Sequence, residues 1–117
     1  MFIQSLEAYS AARLYALESL KINEEFDDKT GVGDALNLFA ALAVAAGDLE
    51  KAGRLFGAAQ TIYDSIGCKP EKIDQEFLDR YIKEARETMG DEAFEAVFRE
   101  GKSIRMKDAI AFVRETD

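Results

Sequence analysis

Between Leu49 and Gly67 the apolar positions recur every three or four residues. Leu49, Ala52, Leu55, Phe56, Ala59, Ile62, Tyr63 and Ile66 therefore share one face of a helix. Gly67 ends that helix, and Pro70 forbids an immediate restart of it. Upstream, Gly47-Asp48 closes one helix and opens the next, with Asp48 as N-cap. The stretch from Asp34 to Ala46 is apolar on nearly every side, which predicts a helix packed between two neighbours. A first helix is expected over about residues 3–26, with Leu6, Tyr9, Ala12, Tyr15, Ser19, Ile22 and Phe26 as its stripe. Asp27-Asp28-Lys29-Thr30-Gly31 breaks it. A fourth, about residues 72–89, steps through Ile73, Phe77, Tyr81, Ala85 and Met89, and Gly90 caps it. Asp91 opens a short fifth helix holding Phe94, Val97 and Phe98, which Gly101 ends. A last helix, about 106–115, buries Met106, Ala109, Ile110 and Val113. Strand-like alternation occurs nowhere, so the fold class is all-α.

A shift of about 40 residues lays the first helix on the third, with Ala12 on Ala52, Tyr15 on Leu55, Ser19 on Ala59 and Ile22 on Ile62. Self-similarity at that period signals stacked helical hairpins. The small residues Ala12, Ala52, Ser19 and Ala59 fall where neighbouring helices approach closely. Leu36, Phe39, Ala40, Ala43, Gly47, Leu49, Ala52, Phe56 and Ala59 resemble one complete tetratricopeptide repeat, spanning about 32–67. The usual aromatic at its first position is Leu36, its usual Tyr is Ala43, and Gly67-Cys68-Lys69-Pro70 replaces the closing proline. These departures suit a longer-period variant. The segment 46–59 and the ending from Met89-Gly90-Asp91 to Asp108-Ala109 are similar to the C-terminal helical region of large bacterial ATP-dependent transcriptional regulators and signalling ATPases. Arg105 departs from their usual Ser or Thr N-cap. The resemblance implies a tetratricopeptide-like superhelix over 1–117, closed by capping helices at about 72–115, in a bacterial regulator. It brings no ATPase or DNA-binding residues with it.

Composition narrows the function classes. A chain of 117 residues holds one core and not two. The formal net charge of −8 repels phosphate backbones, and no Lys/Arg cluster interrupts it, so no direct nucleic-acid partner is expected. The longest nearly apolar run, residues 38–46, is too short for a bilayer, and Met1-Phe2-Ile3 is no signal peptide. With Cys68 as its one cysteine the chain suits the cytoplasm.

Chemistry is scarce. The chain has no His, which removes the commonest general base and the usual zinc ligand. Gly31-Val32-Gly33 reads as a turn and not a phosphate loop, because Leu36 stands where a third Gly belongs. The acidic run Glu24, Glu25, Asp27 and Asp28 lacks calcium-loop spacing and reads as a solvated helix end. Phe77 and Tyr81 read as core rather than as a ligand platform. No catalysis, metal or cofactor is expected.

Arrays of this kind bind through the first helix of each hairpin, which makes Asp34, Asn37, Ala41 and Val44 the groove candidates, with Arg80, Glu84 and Glu87 on the following hairpin. Asn37 stands out as a polar residue in an apolar helix: it either clamps a peptide backbone or faces solvent. The expected function is a protein-interaction or regulatory scaffold with a protein or peptide partner. Two alternatives stay open: a metabolite sensor with a closed pocket lined by Asn37 and aromatics, and a purely structural solenoid cap. Phe2, Ile3, Leu6 and Tyr9 are expected to self-associate into a homodimer, since the first helix lacks its own hairpin partner.

Overall fold

The computed structural model describes residues 5–116, and all regular structure among them is helical. The order is α1 (Leu6–Glu25), α2 (Lys29–Ala45), α3 (Leu49–Ile66), α4 (Lys72–Met89), α5 (Asp91–Lys102) and α6 (Met106–Thr116). Each early helix is started by a side-chain cap. Ser5, Asp28 and Asp48 accept from the backbone N–H of Ala8, Gly31 and Lys51, three residues on. Glycine at positive φ follows or ends α2, α3 and α4: Gly47 at 83°, Gly67 at 68° and Gly90 at 92°. α4 covers the expected residues, and α5 opens at Asp91 as the pattern required.

Several boundaries moved. α1 starts at Leu6, because Ser5 holds extended backbone and caps it. Gly31-Val32-Gly33 is neither turn nor phosphate loop but the first turns of α2, since Asp28 caps that helix before the glycines are reached. The break between α1 and α2 is shorter than expected, helped by Asp27 at φ 53°. Gly101 does not end α5. It lies buried inside the helix, which runs on to Lys102.

α2 is the central element, packed on α1, α3 and α4 and touched by α6. Eleven of its residues, from Val32 to Val44, are buried, as its all-round apolar pattern predicts. α3 folds back along α2 and turns its other side to α5. That second contact is very close. A Cβ on Gly57 would collide with the Phe98 backbone oxygen, and one on Gly101 with the backbone of Arg54. Glycine at both positions lets the two backbones meet. Arg86 joins α4 to α5 by pairing with Asp91 at 3.5 Å and Glu95, above the Phe94 ring at 4.5 Å. Arg114 of α6 pairs with Glu24 of α1, and the acidic run at that helix end stays exposed.

The stripe of α1 is rotated from its expected place. Ala12, Ala16 and Leu20 are buried, with Tyr9 packed against the core beside them. Tyr15, Ile22 and Phe26 are 65%, 52% and 78% exposed. At about 100° per residue the two stripes lie roughly a quarter turn apart. The internal offset shifts accordingly. α1, α3 and α5 begin at residues 6, 49 and 91, and α2 and α4 at 29 and 72, so equivalent helices start 42 or 43 residues apart. At 43 residues the buried Ala12, Ala16 and Leu20 fall on the buried Leu55, Ala59 and Tyr63.

Candidate functional site

A pocket of about 410 Å³ opens between α1, α2 and α4, with Tyr63 of α3 behind it. Its polar side is built on the first half of α2. Asp34 and Asn37 are three residues apart and so lie on one helical face. The Tyr63 hydroxyl, on a ring that is almost wholly buried, donates to the Asp34 carboxylate. A carboxylate only accepts, so the same hydroxyl oxygen must receive its other bond. Asn37 Nδ2 supplies it at 3.2 Å. That assignment fixes the orientation of the Asn37 amide.

Burial raises the pKa of the Asp34 carboxyl. The Tyr63 hydrogen bond opposes that shift, and the charges of Asp74, Asp28 and Glu71 add to it. Burial, followed by the bond to Asp34, pushes the Tyr63 hydroxyl well above the usual phenol range and keeps it a donor. Opposite, on α1, Asn23 Nδ2 donates to Ser19 O at 2.8 Å and to Ser19 Oγ at 3.1 Å. Gly31 leaves space for the Asn23 side chain, which a Cβ there would strike. Tyr15 and Phe77 form aromatic wall, and Phe77 lies 5.0 Å from Tyr81, ring centre to ring centre.

Of the expected groove residues, the pocket holds two. Asp34 is at its exposed rim, and Asn37, 6% exposed, lies within it. Asn37 thus does not face bulk solvent. Ala41 and Val44 are core, because the C-terminal half of α2 is enclosed on the face where Asp34 is open. Arg80 and Glu84 lie exposed on α4 away from the pocket lining, and Glu87 borders a different hollow beside Arg86 and Gly90. Phe77 is half-buried pocket wall as well as core packing, Asp28 of the acidic run reaches the pocket, and Asp74 and Tyr63 are lining residues that the pattern did not single out as a site. Of the self-association residues, Phe2 and Ile3 lie outside the described residues, Leu6 is 82% exposed and Tyr9 packs on the core. Among the described residues no group of three or more Cys, Asp or Glu is arranged to hold a metal ion. Nor is any helix among them long and apolar enough to cross a membrane.

Comparison with known proteins places these helices beside regulators. Over 103 residues, 88% of its length, the chain is 31% identical to proteins of Mycobacterium tuberculosis and Mycobacterium bovis provisionally named HTH-type transcriptional regulators. The chain spans 12% of the length of those relatives. No protein-family model matches it, and no solved structure does. The match overturns the expectation of no direct nucleic-acid partner, because its relatives are named as regulators of the helix-turn-helix type. Net charge averages over a whole surface, so −8 was too coarse a ground for that exclusion. The relatives are named as regulators and not as enzymes.

Proposed function

We propose that this chain is a non-catalytic regulatory module of a transcription-regulating protein of the cytoplasm, built as tetratricopeptide-like hairpins and acting by binding a partner. The alignment of 103 residues with named transcriptional regulators carries the reading. The architecture supports it in two ways. Equivalent helices start 42 or 43 residues apart, consistent with a repeat of helical pairs longer than the standard one. The exposed stripe of Tyr15, Ile22 and Phe26 on α1 is apolar surface of the kind that binding partners cover.

The test is genetic and transcriptional. Removing the α2–α3 hairpin from the encoding gene in its own host should alter a restricted set of transcripts, while point changes on the outer face of α5 should not. A transcript profile unaffected by the deletion would refute the regulatory role.

A second reading, a ligand-sensing module, is favoured by one observation. The space between α1, α2 and α4 is a half-enclosed pocket holding Asn37 and aromatic side chains, instead of an open polar groove.

A further inference from the structure

We propose that the pocket between α1, α2 and α4 binds an organic cation, an alkylammonium or alkylguanidinium group, with its charge held by Asp34, Asp74 and the Asn37 amide oxygen and its stem against Tyr15 and Phe77. The inference rests on reading that pocket as a ligand site and adds the chemistry of the ligand.

The first ground is size. About 410 Å³ falls within the roughly 300–1,000 Å³ of small-molecule sites. Next comes the Asn37 amide. Its nitrogen is committed to Tyr63, whose hydroxyl is committed to Asp34. The amide oxygen is therefore left over on a residue only 6% exposed, and no donor among the described residues reaches it. That oxygen is not sealed in the core, where it would count as an orphan. It belongs to a residue lining the pocket, so it is open to whatever occupies the space.

Third is the sign of the lining. Asp28, Asp34 and Asp74 line the pocket, and no Lys or Arg among the described residues does. Acceptors line it with no Lys or Arg beside them among the described residues, and a group carrying only donors complements them. Burial raises the Asp34 pKa first, and the charges of Asp74 and Asp28 add to that shift, a repulsion that a bound cation relieves. Aromatic walls add a surface for an alkyl stem and a face for a cation. An anion would meet only like charge, and a bare metal ion would leave most of the volume unfilled.

Two sources offer this chemistry through a half-open mouth: a free small amine or guanidine, and the tip of a partner's Arg or Lys side chain. Calorimetric titration of the full chain with agmatine, with spermidine and with an Arg-containing tripeptide separates them. Saturable binding of at least one is expected, and the tighter of agmatine and tripeptide identifies the source. N-butylurea, of similar shape but uncharged, should not bind. Amide shift changes should centre on Asn37 and Tyr63. Asp74→Asn, on an exposed position of α4, should weaken binding about tenfold without affecting folding, and Asp34→Asn by about as much or more. Lack of saturation by all three cations overturns the proposal. So do shift changes spread over the acidic surface, or affinities indifferent to both substitutions. Such a failure leaves the transcriptional effect of deleting the hairpin intact, so the two readings fail separately.

Discussion

Replacing Gly57 by alanine is expected to destabilise the fold by about 1–2 kcal/mol, although alanine is the better helix former. In a helix interior the change alone favours the variant by about 1 kcal/mol. Against it stands the crossing of α3 and α5. The added methyl would strike the Phe98 carbonyl oxygen and lie 2.9 Å from Lys102 N and 3.1 Å from Gly101 C. These are backbone atoms, with no rotamer to give way, so the helices themselves must separate. Overpacking costs about 1–3 kcal/mol, and a backbone obstacle belongs in the upper part of that range. The net loss should appear as a fall of about 4–8 °C in Tm for a domain of this size. Gly101→Ala meets the Arg54 backbone and should behave alike. The double variant should lose less than the two losses combined, because one separation of the helices relieves both collisions. Gly53→Ala is the internal comparison. Its nearest obstacle is the Val97 side chain and not backbone, so although that branched residue must shift, its loss should be smaller than that of Gly57→Ala. Urea and thermal melts followed by circular dichroism decide the matter. If Gly57→Ala equals or exceeds the unmodified chain while Gly53→Ala falls, the helices do not cross where the glycines place them.

Ala52→Leu, at a fully buried position of α3, should cost about 1–3 kcal/mol, whereas Glu50→Ala on the outer face should stay within about 0.5; urea melts ranking them in reverse would remove the register of α3. Tyr63→Phe strips Asn37 Nδ2 of its acceptor and Asp34 of its donor, and should cost about 1 kcal/mol; a melt unchanged by the substitution would mean that the chain of bonds is not formed in solution. Asp34 has a folded-state pKa raised above its ordinary 3.8, so its protonated form favours the native state. The stability of the unmodified chain relative to Asp34→Asn should therefore be greatest below about pH 4 and fall as pH rises through the raised pKa. Paired melts from acid to neutral pH check the sign, and a difference that grows towards neutrality contradicts it.

Helix ends were legible because they are written in local chemistry. Asp48 acts through its own side chain and Gly47, Gly67 and Gly90 through their own backbone geometry, and the sequence shows each of them directly. The face that a helix buries is a different matter. On α1, Tyr15, Ile22 and Phe26 form a period as good as that of Ala12, Ala16 and Leu20, with larger side chains. Periodicity ranks the bulky stripe first. Packing ranks the small one first, because α2 needs close approach along its crowded length. The same preference hid Gly31 and Gly33. Glycines in pairs suggest a turn, yet these make room within a helix for Asn23 and for the Tyr63 ring.

The site was half legible for a related reason. Asp34 and Asn37 declare themselves as polar residues on one face of a helix whose remaining positions are almost all apolar. Their partner does not. Tyr63 sits in the buried stripe of α3, and periodicity can only assign it to the core, where its ring indeed lies. Its hydroxyl does the rest: it donates to Asp34, accepts from Asn37 and thereby orients the amide that faces the pocket. Asp74 arrives from α4, 40 positions further along than Asp34, through packing of α4 on α2. No spacing rule joins residues 28, 34, 63 and 74, since Asp28 and Asp34 belong to α2 and its cap, Tyr63 to α3 and Asp74 to α4. The pocket is thus a product of how the hairpins stack, and its polar face is set by one core side chain. A substitution that leaves the core of α3 filled but removes that hydroxyl should loosen Asn37 and Asp34 together, which ties the stability of the fold to the geometry of its binding face.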